Sequence, residues 1–171
     1  GPMGAREAVR IGLAIAEALK EAHAQRILHR DLKPENVMLG SDGRIRVVDF
    51  GLAGRVDALE AKGEEAEHRT EPPAEPEGKL DVLGTPAYMA PEQWQEEETS
   101  GATDVWALGV ILFELMLGRR PFEAPTPVKL ALLVCGSDGP PPLGPARETP
   151  SGLEDVIGRC LARAPAERPV A

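Results

Sequence analysis

Aromatic residues make up only 4% of this 171-residue sequence, which excludes a wide stacking platform for nucleic-acid bases. Cysteine is nearly missing. Cys135 and Cys160 stand alone without CxxC spacing, so neither a disulfide framework nor a zinc site is indicated. Both read as buried thiols in a reducing cytosol. His23, His29 and His68 lack metal-ligand spacing with one another. The most apolar stretch, Val105 to Leu117, is interrupted by Glu114 and too short to span a bilayer. No signal peptide shows at the N-terminus. Positive charge is in deficit, with 19 Lys and Arg against 28 Asp and Glu. The resulting −9 argues against nucleic acid or an anionic membrane as the main partner.

The deficit is local. From Asp57 to Asp81 nine acids face three bases, Glu96-Glu97-Glu98 adds three more, and the rest of the chain is neutral. What is present suffices for a core: 42% of residues are apolar, enough for one domain or a piece of a larger one. With 18 Gly and 17 Pro, many breaks and turns are predicted. In Ala5 to Ala24, the residues Ala8, Ile11, Ile15, Leu19 and Ala22 share one face of a helix. Ile27-Leu28, Val37-Met38-Leu39 and Ile45 to Val48 are short β-type runs. Gly40-Ser41-Asp42-Gly43, between the last two, supplies hairpin turn chemistry.

Ala53 to Asp81 is rich in Glu, Ala and Pro, and reads as a mobile loop with one frayed helical turn near Ala58 to Glu67. Val105 to Leu117, apolar almost all round, predicts a buried central helix closed by Gly118. A shorter helix over Val128 to Val134 precedes a Gly/Pro-rich loop from Gly136 to Pro145. Ser151 with Glu154 forms a capping box that opens a helix through Val156, Ile157, Cys160 and Leu161. The pattern is mainly α, formally α+β: a helical body with one small β-hairpin.

Two strings bracket the hairpin. His29-Arg30-Asp31-Leu32-Lys33-Pro34-Glu35-Asn36 precedes it, and Asp49-Phe50-Gly51 follows it. Gly84-Thr85-Pro86-Ala87-Tyr88-Met89-Ala90-Pro91-Glu92 comes next, then Asp104-Val105-Trp106-Ala107-Leu108-Gly109, then Arg168. In this order they resemble the H-R-D-x-x-x-x-N, D-F-G and A-P-E segments, the central helix and the final arginine of the protein kinase family. Lys33 and Gly84 to Tyr88 are similar to its serine/threonine subgroup, of bacterial type. The resemblance implies the large C-terminal lobe of a kinase domain across residues 1–171. Its catalytic loop would be 29–36, its activation segment 49–92 and its central helix about 103–118. It implies ATP and Mg²⁺ as cofactors, a Ser/Thr-containing protein as substrate, and a cytoplasmic location, with a membrane tether of the parent left open.

Phosphoryl transfer asks for positioning and for charge neutralisation on phosphates. Asp31 would orient the substrate hydroxyl and Lys33 would place a cation beside the transferred group. Asn36 and Asp49 would offer oxygen ligands to Mg²⁺ from the two ends of the hairpin. The resemblance adds Met38 as the floor under adenine, and Glu35 beside the nucleotide site. It has Arg30 contacting the activation segment, and Thr85 bonding Asp31 and Lys33. It makes Glu92 and Arg168 a buried ion pair and has Asp104 bracing the catalytic loop. His29, Phe50 and Gly51 complete the structural set.

The sequence departs from the family in two ways. No Gly-rich loop, strand lysine or partner glutamate of a smaller N-terminal lobe is present, so this chain alone is expected to be inactive. The segment from Asp49 to Glu92 is long and acidic, with Thr70 its only hydroxyl residue before Thr85. There, Glu77 or Asp81 could supply Arg30 with a standing negative charge. The acidity also suggests a substrate with basic residues near its accepting hydroxyl. The alternative reading is a naturally truncated, non-catalytic kinase-like module that binds partners.

Overall fold

The computed structural model describes residues 2–50, 86–144, 150 and 152–170. The long Glu/Ala/Pro segment, with Gly51, Thr70, Glu77, Asp81 and Thr85, lies outside the described residues, as does Ser151. Five helices and one two-stranded sheet are described: α1 (Ala5–Ala24), β1 (Val37–Leu39), β2 (Ile45–Val47), α2 (Pro91–Trp94), α3 (Gly101–Leu117), α4 (Pro127–Cys135) and α5 (Leu153–Cys160). None is long and apolar enough to cross a membrane.

Helix α3 is the axis of the core. It buries every residue from Thr103 to Phe113 and also Met116, as expected for a helix apolar on all sides. It begins earlier than its apolar run. Ser100 is the N-cap, accepting from the Ala102 N–H, while Thr103 Oγ1 accepts from the Ser100 N–H. Gly118 ends it at φ +69°, a left-handed cap that glycine adopts at no steric cost. Helix α1 packs along α3 through Ala8, Gly12, Ile15 and Leu19. Gly12 takes a place on that face because a Cβ there would lie 2.6 Å from Leu112 Cδ2. Ile11 and Ala22, expected on this face, are only partly buried.

The hairpin pairs Val37 with Val47, Met38 with Arg46 and Leu39 with Ile45, and β2 lies against α1. Gly43 turns it at φ +75°. Ile27-Leu28 does not join it: Ile27 makes a single bridge, and Leu28 is buried in the core instead of entering a strand. Helix α5 starts from Gly152 with no side-chain cap, and Glu154 accepts from the Leu143 N–H at 3.1 Å. Its carboxylate thus anchors the Pro-rich loop, while the capping box expected with Ser151 lies outside the described residues. Val156 faces outward, while Ile157, Cys160 and Leu161 are buried. Cys135 is only half-buried, unlike Cys160. Burial pushes both thiols up, Cys160 to about 11.

Candidate active site

The chain between α1 and β1 makes no regular element until Pro34–Asn36, one 3₁₀ turn with Pro at its start. Within it Lys33 Nζ donates to Asp31 Oδ2 at 2.7 Å. Asn36 Nδ2 donates to the Asp31 carbonyl at 2.9 Å, closing the loop on itself. Both Asp31 and Lys33 keep some exposure, 17% and 21%, so the pair is reachable from solvent. The hydrogen bond it donates to Asp31 holds the Lys33 ammonium above the usual lysine range. The arrangement presents a carboxylate and a cation side by side at the mouth of a rigid loop.

That loop is held from below by Asp104, buried to 1% exposure in the first turn of α3. Its Oδ1 accepts the Arg30 N–H at 2.7 Å and its Oδ2 the His29 N–H at 3.0 Å. Arg30 needs such support, because its φ of +65° is sparsely populated by residues with a side chain. The His29 ring is fully buried. Its Nε2–H donates to the Val48 carbonyl at 3.1 Å, and the ring packs on Phe50 with centroids 4.6 Å apart. The Val48 N–H donates in turn to the Asn36 carbonyl at 2.8 Å. The two ends of the hairpin are therefore tied to one another.

Glu92 and Arg168 form a buried pair with Nη1···Oε1 at 2.7 Å and Nη2···Oε2 at 2.9 Å. Thr103 Oγ1 donates to the same carboxylate at 2.8 Å, and Arg168 also donates to the carbonyls of Ala102, Ala162 and Arg163. The guanidinium lies 5.1 Å from the Trp106 ring centre. Tyr88 donates to Glu114 at 2.6 Å. Burial first, then that carboxylate, pushes the Tyr88 phenol well above its usual range.

Of the other residues singled out in the sequence, Glu35, Met38 and Asp49 are exposed. Asp49 closes the hairpin at φ +61°. Arg30 Nε and Nη2 are buried without a partner among the described residues. Gly51 and Thr85 lie outside those residues. No cluster of three or more His, Cys, Asp or Glu side chains that could hold a metal ion occurs among the described residues. Asn36 spends its Nδ2 on the Asp31 carbonyl, which leaves Oδ1 as its acceptor. With the Asp49 carboxylate this makes an oxygen-only donor pair, which fits Mg²⁺ carried by a phosphate ligand and not an all-protein cage.

Comparison with known proteins matches the whole chain, residues 1–171, to the protein kinase domain model. This chain belongs to the protein kinase family. Its relatives make it the bacterial serine/threonine type. The kinase chain is 35% identical to serine/threonine-protein kinase pkn3 of Myxococcus xanthus, over 98% of its own length and 30% of that protein. It is 31% identical to PrkC of Bacillus subtilis, over 98% of its length and 24% of that protein. To PknB of Mycolicibacterium smegmatis it is 33% identical, over 98% of its length and 25% of that kinase. The chain thus spans under a third of the length of these relatives.

Two residues of this kinase site were not singled out in the sequence. Gln93 accepts from the Ala90 N–H and donates to the Arg30 carbonyl at 2.9 Å, joining α2 to the loop. His23 Nε2 lies 2.8 Å from Asp104 Oδ2. Neither falls inside a recognisable string, and His23 meets its partner across 81 positions of sequence. No local spacing signals such a pair.

Proposed function

We propose that this chain is the large C-terminal lobe of a serine/threonine kinase domain, whose parent transfers the ATP γ-phosphoryl to Ser or Thr hydroxyls of proteins. The observation that carries the reading is the loop itself. Asp31 and Lys33 are joined at 2.7 Å and partly exposed, and the backbone beneath them is pinned by Asn36 and Asp104. Asp31 accepts the hydrogen bond of the substrate hydroxyl and aims its oxygen in line with the phosphoryl group. Lys33 sets its ammonium against the charge that builds on the transferring oxygens. Asn36 and Asp49 hold the nucleotide's Mg²⁺ from the two ends of the hairpin. When bound, Mg-ATP supplies the phosphoryl group and neutralises part of its charge. Glu35 and Met38 lie on the nucleotide side, and Phe50 packs on His29 of the catalytic loop.

Exposed Met38 and Leu39 support a missing second lobe, because 56% and 64% of these apolar residues face solvent on adjacent hairpin positions. That lobe would bring the remaining contacts to the nucleotide, so the isolated chain transfers phosphate negligibly. Dependence on ATP assigns the domain to the cytoplasm. The test compares full-length kinase, its Asp31→Asn variant and the isolated chain in labelled-phosphate transfer from ATP to a Ser/Thr protein substrate. Transfer by the full-length protein alone is expected, with Asp31→Asn lower by roughly a thousandfold or more. An equally active Asp31→Asn would sink the kinase reading, and Asp31-dependent transfer by the isolated chain would sink the one-lobe reading.

A further inference from the structure

Two cavities flank the Tyr88–Glu114 bond. Glu114 lines one of about 270 Å³ together with Pro34, from the 3₁₀ turn beside Asp31 and Lys33. Ala87, the neighbour of Tyr88, lines another of about 220 Å³ together with Pro86. Phe122, Pro127 and Leu130 supply further wall to this second cavity, and Phe122 and Leu130 are themselves buried. Arg120 and Glu123 bring charge to its rim and neutralise one another there. The Arg120 guanidinium lies 3.6 Å from the Glu123 carboxylate, which also accepts the Arg120 N–H at 3.2 Å. Such a lining favours an uncharged, apolar occupant.

The walls are set before anything binds. Proline fixes the backbone at lining positions 86, 125 and 127. Thr126 caps α4 by accepting the Lys129 N–H at 3.3 Å. Phe122 stacks on Trp106 with ring centres 5.9 Å apart and lies 6.0 Å from the Arg163 guanidinium. A preformed cavity spares its occupant the cost of ordering it. Its size is selective too: about 220 Å³ falls below the roughly 300–1,000 Å³ of small-molecule sites, yet exceeds the roughly 150 Å³ that admits benzene. One large side chain fits.

Continuity with the candidate active site says whose side chain it is. Pro86-Ala87 runs on through Tyr88 into α2, and Gln93 of α2 donates to the carbonyl of Arg30, the residue before Asp31. A protein whose hydroxyl lies at Asp31 therefore extends over this surface. The Tyr88 and Glu114 side chains intervene, so the group that reaches the cavity is no immediate neighbour of that hydroxyl. We infer that the cavity is a specificity subsite for the protein substrate. It takes one large apolar side chain, Leu, Met or Phe, carried several residues from the accepting Ser or Thr. This rests on the reading of Asp31 as the group that meets the substrate hydroxyl.

The test uses the full-length kinase, with Asp31→Asn as reference, on serine peptides of one alanine-rich sequence in which a single Leu or Phe occupies each position in turn. One position beyond the residues adjoining the serine should raise kcat/KM roughly ten- to hundredfold, from burial of one such side chain. The rise should come through KM, with kcat within about twofold, because an anchor away from the reacting atoms binds ground and transition states alike. Ala124 also lines the cavity, and Ala124→Phe fills it. That variant should lose the preference while keeping its rate on the peptide without Leu or Phe. A peptide carrying benzoylphenylalanine at the favoured position should attach, on irradiation, within residues 120–130. Equal kcat/KM across the set would overturn the inference, and sedimentation of the kinase as a dimer in that case would make a second copy the occupant. A preference confined to residues adjoining the serine, one that survives Ala124→Phe, or attachment elsewhere would overturn it as well. Should Ala124→Phe fail to fold, the site of attachment decides. A fully active Asp31→Asn would instead remove the kinase reading and leave attachment alone to judge the cavity.

Discussion

A guanidinium and a carboxylate taken out of water together are tolerable only while both are present. Glu92 and Arg168 meet that condition with two short bonds, a third donor from Thr103 and three carbonyls around Arg168. Removing one side leaves a buried charge, so Arg168→Leu should destabilise the fold by about 3–5 kcal/mol. A thermal melt of the full-length kinase reads this, and an unchanged melting temperature would show the pair to be hydrated. The pH dependence has a definite sign. Burial pushes the Glu92 carboxyl up, but the Arg168 hydrogen bonds, with those of backbone and Thr103, outweigh it and hold it below its ordinary 4.5. A lowered carboxyl pKa stabilises the native state above the unfolded value, and that contribution is lost as pH falls through the folded value. The stability gap between wild type and Glu92→Gln should therefore be flat from neutral pH to about 5 and narrow at lower pH.

At the scale of elements, α1 and α3 were legible because each carries a signal summed over many residues, a 3.6-residue stripe in one and a long run, apolar but for Glu114, in the other. The hairpin was legible because a turn sits between two short β-type runs. Helix α2 was not: four residues hold no period, and Pro91–Trp94 is helical through its N-terminal proline and the Gln93 bond back to Ala90. The start of α3 was also missed, because Ser100 caps through a threonine at the third helical position instead of Glu or Gln. Ile27-Leu28, a β-type run by composition, is reduced among the described residues to the single bridge of Ile27. The candidate site divides the same way. Residues inside motif strings were visible, whereas His23 and Gln93 act through contacts made by folding. Gly109 shows how a motif residue acquires a physical reason. A Cβ there would lie 2.8 Å from Cys160 Cβ and 3.1 Å from Leu161, so α5 could not keep its approach to α3. Gly109→Ala should cost about 1–3 kcal/mol by forced separation of the two helices. An unchanged melt would mean that the pair slides apart freely.

Across the whole molecule the charge surplus and the proposed substrate belong to one question. The body of the chain is neutral, and the excess lies in Asp57 to Asp81 and in Glu96-Glu97-Glu98. The glutamate run is exposed and follows α2 directly, and α2 is bonded through Gln93 to the carbonyl of Arg30, the residue before Asp31. An acidic strip is therefore anchored to the element that carries the proposed catalytic carboxylate. Charges so placed act through solvent, so their influence on an approaching peptide is of the screened, long-range kind. They would raise the encounter rate for a positive substrate without altering the transfer step itself. Full-length kinase should then phosphorylate a Ser peptide with basic flanks at a higher kcat/KM than the same peptide with acidic flanks. The preference should shrink as salt rises from about 0.1 M toward 1 M, where the screening length falls from about 10 Å to about 3 Å. Replacing Glu96, Glu97 and Glu98 with Gln should cut the preference while leaving kcat on the basic peptide unchanged. Equal rates on both peptides at low salt would show that the acidic segments serve some purpose other than substrate choice.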